Sequence, residues 1–593
     1  MQPRAVDSSP PELAPAGRNS RGAGLLLVCL LVGSSVVGLG GRLLSAHDEA
    51  RYAEVAREML ASGDWVTPRL SGIEHWHKPP LTYWAIAASF AAFGLDEFAA
   101  RLPSALAAVA SVIAVYGAGR MLFGRRAGLL AAVVLASSLL FVLAGRLATP
   151  DMLLTCCVCW TIHCLVRGRV HGDPHGVLAV LRGVFVGLGF MVKGPVVLLF
   201  TAVPVVAYVV SARDWRMARA ARPWLSVPAF CVVALPWFVV VCVQNAGLLR
   251  YLVEYQTLQR VATDFHERSG SVLYYIPVLV YGFIPWVFLL PYAGVRAVSP
   301  GSRLDEERRR GLLLVLLLLV PFVLLSVSRS KGLAYVLPAL PAAALLVGHS
   351  LGEATAARRA WARGFLVNAW VALAGMVLFA AWVLVVFFAR RAYPELAALG
   401  GYVVLLASLV GVGAVVALLG LARRARWLLV GGLAAPVPLA VLVLLATMPD
   451  VSDVVSWEAP GKHIAEAIAA RMGENDRLVF YRSTSHATSF YLRARPVLVA
   501  CEIDVRFMSP DELEGWVLRG EPVEALRGLF ERAGAENRRL FCVALEKDYA
   551  DLVEHPDAPP TYLLAERHRT VLFSNRPDAS VGDGLAPAEQ PAE

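Results

Sequence analysis

Fourteen apolar stretches separated by short loops constrain this chain more than any other feature. They fall at 23–44, 81–95, 102–119, 127–144, 151–167, 177–192, 194–211, 224–243, 272–293, 311–327, 332–350, 364–388, 399–421 and 427–447. A helix rises about 1.5 Å per residue, so about 20 apolar residues cross a bilayer, and a chain that repeats such runs must bury them in lipid. Hydrophobic residues make up 57% of 593 positions, which excludes a soluble globular fold. The expected class is a polytopic α-helical membrane protein. The first run is longer than a signal-peptide core and carries no small-residue cleavage site, so it reads as a retained span.

Charge sets the expected topology. The net charge of +9 comes from Lys and Arg clustered between apolar runs, the pattern of a positive-inside signal rather than of a nucleic-acid binder. If 81–95 is re-entrant or juxtamembrane, the basic loops at Arg120–Arg126, Arg167–Arg169, Arg213–Arg222, Arg303–Arg310, Arg358–Arg363 and Arg423–Arg426 all become cytoplasmic. That arrangement predicts about thirteen transmembrane helices, a cytoplasmic N-terminus and an extracytoplasmic C-terminus in a multi-pass cytoplasmic (inner) membrane protein. Residues 1–22 then form a disordered cytoplasmic tail and 23–447 the membrane domain, with an outer catalytic loop at 45–101. Residues 448–575 alternate helical and strand patterns and predict a soluble α/β domain on the outer side, with expected strands at 477–481, 496–500, 539–545 and within 561–574. Helices are expected near 460–472, 485–492, 510–518 and 522–534, and 576–593 reads as a disordered tail. Nine cysteines imply no disulfide framework, because seven lie in apolar runs. Only Cys501 and Cys542 lie in soluble sequence, where they can pair if that domain faces an oxidising compartment.

The same parity gathers ionisable residues on the outer face. Residues 45–80 hold Asp48, Glu49, Arg51, Glu54, Arg57, Glu58, Asp64, His75, His77 and Lys78, in a chain of which only 17% is charged. Arg101, Arg146, Asp151, Lys193, His266, Arg329 and Lys331 join them, which suggests a polar cavity at the outer membrane surface. Lys193, between two apolar runs in MVKGPVVLLF, fits interfacial snorkelling poorly. Asp48 precedes an expected helix from about Glu49 to Leu60. It is suited either to cap that helix or to act as a general base toward an acceptor hydroxyl. Lys78, Lys193 and Lys331 suit a phosphate attached to a lipid. No phosphate-binding loop for a nucleotide is present.

HDEARYAEVAREMLASGDW at 47–65, HKPPLTYW at 77–84, FAARLPSAL at 98–106, ATPD at 148–151, KGP at 193–195 and SKGLAYVLPALP at 330–341 closely resemble membrane glycosyltransferases of the aminoarabinose-transferase type. That family is related to the protein O-mannosyltransferases. The resemblance implies a GT-C fold. It also implies transfer of a sugar from a polyprenyl-phosphate carrier to a lipid A-like, glycan or protein acceptor among membrane lipids, without a nucleotide cofactor or nucleic acid. By position it implies that Asp48 is the catalytic carboxylate and Asp151 the second acidic site. Glu49, Arg51, Tyr52, Lys78, Arg101, Lys193, Lys331 and Tyr335 correspond to substrate-binding positions. Where the family has a metal-binding glutamate this chain has His77, which with His266 offers two imidazoles either to a divalent metal such as zinc or as hydrogen-bonding groups in the cavity. A transporter of lipid-linked sugars would call for inverted repeats and mid-span charges, which are not visible. A non-catalytic scaffold would have no use for an acidic pair facing several cations.

Overall fold

The computed structural model describes residues 29, 33–45, 48–259, 270–299, 305–356, 363–389, 400–446, 461–567 and 569–578. The expected N-terminal tail, residues 579–593, the junction near 448, and His266 lie outside these residues, whereas Asp578 of the expected C-terminal tail meets Arg471 at 2.6 Å, so the domain continues past 575. Elements that position the site are, in chain order, α1 (Glu49–Ser62), the hairpin β1 (Arg69–Leu70) and β2 (Ile73–Glu74), α2 (Leu81–Phe93), α3 (Glu97–Phe123), α4 (Pro150–His171), α5 (Val177–Lys193), α6 (Asp305–Val327) and α7 (Leu340–Ala356). The C-terminal domain adds α8 (Gly461–Ala469), β3 (Arg477–Tyr481), α9 (His486–Leu492), β4 (Val497–Val499), β5 (Val517–Leu518), α10 (Pro522–Ala535), β6 (Leu540–Leu545), β7 (Tyr562–Arg567) and β8 (Thr570–Ser574).

Among the described residues, six helices are long and apolar enough to cross a membrane, and a seventh span results if the bent pair Val272–Gly282 and Trp286–Val298 counts as one. The thirteen expected spans are therefore not all matched by uninterrupted helices. Several apolar runs are broken: Val196–Phe200 gives way to Ala202–Ala212, and Arg426–Ala434 to Pro436–Ala446. The first run is helical at Gly33 and Ser34 and then turns, rather than continuing as helix to Leu44. Arg146 explains this break, because its guanidinium donates to the carbonyls of Ser34 and Val37. Residues 81–93 form α2, thirteen residues long and shorter than a span. It packs Tyr83, Ile86, Ala87 and Phe90 into one cluster with Ala487 and Phe490 of the C-terminal domain.

The C-terminal domain carries a six-stranded sheet of order β5-β4-β3-β6-β8-β7. The first four strands are parallel, as helix-connected strands must be, and β8 and β7 close one edge as an antiparallel hairpin. Val479, Phe480, Leu498, Phe541 and Val543 are wholly buried between the layers, as the continuous apolar strands anticipate. The expected helix at 510–518 is corrected. Only Pro510–Leu513 is helical, behind a Ser509–Glu512 capping box, and Leu498 donates to the Trp516 carbonyl so that Val517–Leu518 becomes an edge strand. Cys501 and Cys542 are separate thiols.

A buried ion pair joins the first loop to the bundle. Glu49 is wholly buried and meets Arg101 of α3 at 2.8 Å and Arg42 at 2.7 Å. Arg101 also donates to the carbonyls of Leu39, Arg42 and Leu43, while Glu49 accepts from the amides of Ser45 and Ala148. Burial raises the Glu49 pKa, but the two guanidinium groups and these donors overcome it and bring it down to about 2. Farther along α1, Glu54 takes two hydrogen bonds from Arg57, at 2.7 and 2.8 Å. Glu58 accepts from the Gly72 amide in the hairpin turn, and burial beside the Glu54 carboxylate pushes its pKa up.

Two opposite pH responses follow. Glu49 is ionised more readily in the fold than in the unfolded chain, so its contribution is complete above the ordinary carboxylate range and is lost as pH falls toward 2. Glu49→Gln or Arg101→Leu leaves a buried charge unpaired and is expected to cost about 3–5 kcal/mol, read as thermal unfolding of the detergent-solubilised chain at pH 7. Glu58 is protonated more readily in the fold, so it favours the fold at low pH and progressively less as pH rises above the ordinary carboxylate range. Glu58→Gln is expected to raise the unfolding temperature at pH 8 and leave it unchanged at pH 5. An equal shift at both pH values would mean that the Glu58 proton is not the cause.

Candidate active site

The charged island divides into residues that build and residues that face outward. Glu49, Glu54 and Arg57 are buried in the contacts above, and Asp64 accepts from the amides of Val66 and Thr67 to close the turn after α1. Glu49 and Arg101, expected to bind substrate, are buried in contacts with one another, with Arg42 and with backbone groups, which is a structural arrangement. Tyr52 is likewise buried, stacked on Tyr83 at 5.6 Å. Its ring also lies beneath the Arg51 guanidinium at 5.6 Å, so it supports Arg51 from below.

Asp48 makes no side-chain capping bond to α1. Its carboxylate is half exposed and meets Arg51 at 2.7 Å. The capping alternative is thereby removed, and a carboxylate open to an incoming group remains. Arg51, His75 and His77 line a cavity of about 180 Å³ whose opposite wall comes from the C-terminal domain, including His486, Glu502 and Asp504. His75 and His77 lie where the chain leaves β2 and turns at 76–77, with ring centroids 4.3 Å apart. Burial, followed by the nearby His77, Arg51, His486 and Lys78, holds the His75 pKa well below its usual value.

A loop of the domain lines one side of this cavity. Arg506 stacks over Tyr251 and Tyr255 at 5.2 and 4.8 Å, and Phe507 meets Tyr251 edge-on. These domain residues, and His75, were not anticipated as parts of the site. The His-X-His spacing at 75–77 was a usable signal for His75. Nothing local marks a residue four hundred positions away as a wall of the same cavity.

A second group gathers where the bundle helices end on the face that carries the domain. Asp151 stands in the first turn of α4 and Lys193 at the end of α5, and they pair at 2.5 Å. The Lys193 ammonium also lies 4.4 Å from the centre of the Tyr335 ring. Lys331, nearly buried, donates to the carbonyls of Leu325 and Ser326 at the end of α6 and lies 5.2 Å from the Tyr275 ring. An ammonium has three donors, so one remains for a ligand. The fold therefore brings together Asp151, Lys193 and Tyr335, and it brings Arg51 and His77 together at the cavity, with Asp48 joined to it through Arg51. Among the described residues no three metal-ligating groups converge near His77. The surroundings of His77 do not by themselves make a metal site, and no chemical step is routed through one.

Comparison with known proteins extends these observations. Residues 77–242 match the family model described as dolichyl-phosphate-mannose-protein mannosyltransferase. The chain is 32% identical over 354 residues to the undecaprenyl phosphate-alpha-4-amino-4-deoxy-L-arabinose arabinosyl transferase of Edwardsiella ictaluri, covering 59% of this chain and 63% of that protein. It is 30% identical over 431 residues to the corresponding transferase 1 of Sodalis glossinidius, covering 66% of this chain and 75% of that one. The fold is similar to the crystal structure of ArnT from Cupriavidus metallidurans bound to undecaprenyl phosphate, with a TM-score of 0.79, 26% identity, and coverage of 94% of this chain and 98% of that one. The GT-C architecture with its C-terminal α/β domain is thus shared over nearly the whole of both chains. This chain belongs to the family of undecaprenyl phosphate-aminoarabinose arabinosyl transferases.

Proposed function

We propose that this chain transfers a sugar from a polyprenyl-phosphate carrier to a cell-envelope acceptor at the outer face of the inner membrane, with its N-terminus in the cytoplasm and its α/β domain outside. The observation that carries the reading is the pairing of two buried ammonium groups, Lys193 and Lys331, with aromatic rings and only one carboxylate, Asp151. Such a site holds a net positive charge beside apolar walls, which is what the phosphate end of a lipid requires. The names of the relatives agree with it, since both Edwardsiella ictaluri and Sodalis glossinidius proteins are arabinosyl transferases named for undecaprenyl phosphate.

In this mechanism the acceptor oxygen attacks the anomeric carbon while the bond from that carbon to the carrier phosphate oxygen breaks. Both electrons of that bond leave with the polyprenyl phosphate, and the sugar configuration inverts. Lys78, Lys193 and Lys331 compensate the charge that grows on the phosphate. Asp48, oriented by Arg51, accepts the proton when the acceptor is a hydroxyl. Asp151 is assigned an orienting role, because its contact with Lys193 fixes the ammonium at the end of α5 rather than presenting a second free carboxylate. The acceptor enters through the cavity bounded by Arg51, His75 and His77. Lipid, glycan and protein acceptors all remain compatible with that opening.

Transfer from a radiolabelled polyprenyl-phosphate sugar to envelope fractions tests Asp48. The Asp48→Asn variant is expected to lose at least about a hundredfold in turnover with an unchanged unfolding temperature. Retained turnover would remove Asp48 from the chemistry. Lys193→Ala is expected to weaken binding of polyprenyl phosphate at least about tenfold, whereas Asp151→Asn, which keeps a hydrogen-bonding partner for Lys193, should weaken it less. Equal affinity for wild type and Lys193→Ala would place the phosphate elsewhere.

A further inference from the structure

At the opposite end of the bundle, the feet of α6 and α7 bring together three side chains that the transfer chemistry does not use. Among the described residues, Glu307, His349 and Glu353 form the one group whose metal-ligating atoms all lie within 4.8 Å of one another. His349 and Glu353 are four residues apart on α7, so helical geometry stacks them on one side. Glu307 comes from the first turn of α6, and its carboxylate oxygen lies 3.3 Å from His349 Nε2. That separation is about the edge of a coordination polyhedron whose metal–ligand bonds are about 2.0–2.2 Å.

The surroundings hold this arrangement in place. The imidazole stacks on Phe123, the last residue of α3, with ring centroids 3.8 Å apart and planes inclined by 18°, which fixes the direction of its nitrogen. Arg296 approaches Glu353 at 3.7 Å and orients that carboxylate from outside. The position is far from the proposed active site. α3 runs 27 residues from Glu97, beside the C-terminal domain, to Phe123, a rise of about 40 Å.

We infer that Glu307, His349 and Glu353 form a binding site for a divalent transition-metal ion, of the zinc, manganese or iron(II) class. One imidazole and two carboxylates suit those ions better than magnesium, and two negative charges balance the ion. The three groups leave further positions for water. Bound there, the ion ties the feet of the α6–α7 hairpin, whose other end carries Lys331 and Tyr335. Its role is therefore structural and independent of the transferase reading.

The test uses the full chain in nanodiscs, stripped with chelator and then titrated with zinc or manganese chloride against a chromogenic competitor. Metal content is counted after dialysis, and thermal unfolding is recorded with and without the ion. Wild type is expected to retain about one ion per chain at this site and to unfold at a higher temperature when loaded. Glu307→Gln and His349→Ala are each expected to weaken binding at least about a hundredfold and to abolish the thermal shift, while His77→Ala leaves both unchanged. Glu307→Gln keeps the shape of a side chain that is partly exposed, so it reports even if His349→Ala does not fold. Absence of binding by wild type, or binding that survives Glu307→Gln and is lost with His77→Ala, would overturn the assignment and leave Glu307 and His349 as a hydrogen-bonded pair.

Discussion

The structure depends on a single carboxylate in an apolar bundle. An ionised Glu49 removed from water is tolerable only because two guanidinium groups and two backbone amides surround it, and those donors come from three separate stretches of chain. Arg101 comes from α3, Arg42 and the Ser45 amide from the turn at the end of the first apolar run, and Ala148 from the segment before α4. The position of Asp48 follows directly, because it is the residue before Glu49. That of Asp151 follows nearly as directly, three residues beyond the Ala148 amide that Glu49 accepts. Both candidate acidic groups are therefore registered to one buried ion pair.

The C-terminal domain is fastened to the same region. Tyr491 on α9 donates to Glu97 at the start of α3 and accepts from the Leu44 amide, and Lys462 reaches the same Glu97 carboxylate at 3.2 Å. Phe490 packs on Phe90 of α2. These contacts straddle Arg101, so the domain closes over the anchor as well as over the cavity. The stacking of Arg506 on Tyr251 and Tyr255 then fixes a wall opposite Arg51. A domain that might have been an appendage becomes part of the enclosure.

Much of this was legible in the sequence, and the failures have common causes. The strands at 477–481 and 540–545 were visible because buried parallel strands are continuous apolar runs. The shortness of α2 was visible because Pro79 and Pro80 precede an apolar run confined to 81–95. What could not be read was which of two adjacent acids is buried. Asp48 and Glu49 differ by about 100° around α1, and the choice is made by an arginine 52 residues away. The spans do not all appear as single long helices for a related reason. Hydropathy registers a run, but breaks such as that between Ala434 and Pro436 depend on local backbone. Pro228, Pro236 and Pro321 stay inside unbroken helices, so proline alone does not mark the breaks.

As the proposed carrier-phosphate site, the two ammonium groups meet a problem that any lipid-phosphate site in a bilayer faces. A buried cation must be stabilised, yet a full complement of carboxylates would cancel the charge a phosphate needs. Lys331 is stabilised by two carbonyl oxygens and the face of Tyr275, which carry only partial charges. Lys193 takes one carboxylate and the face of Tyr335. Together they retain about one positive charge in excess at the helix ends. Replacing those rings and carbonyls with acids would hold the lysines more firmly and leave little electrostatic attraction for the carrier. The aromatic and backbone partners are thus a condition of the proposed binding as well as of the packing.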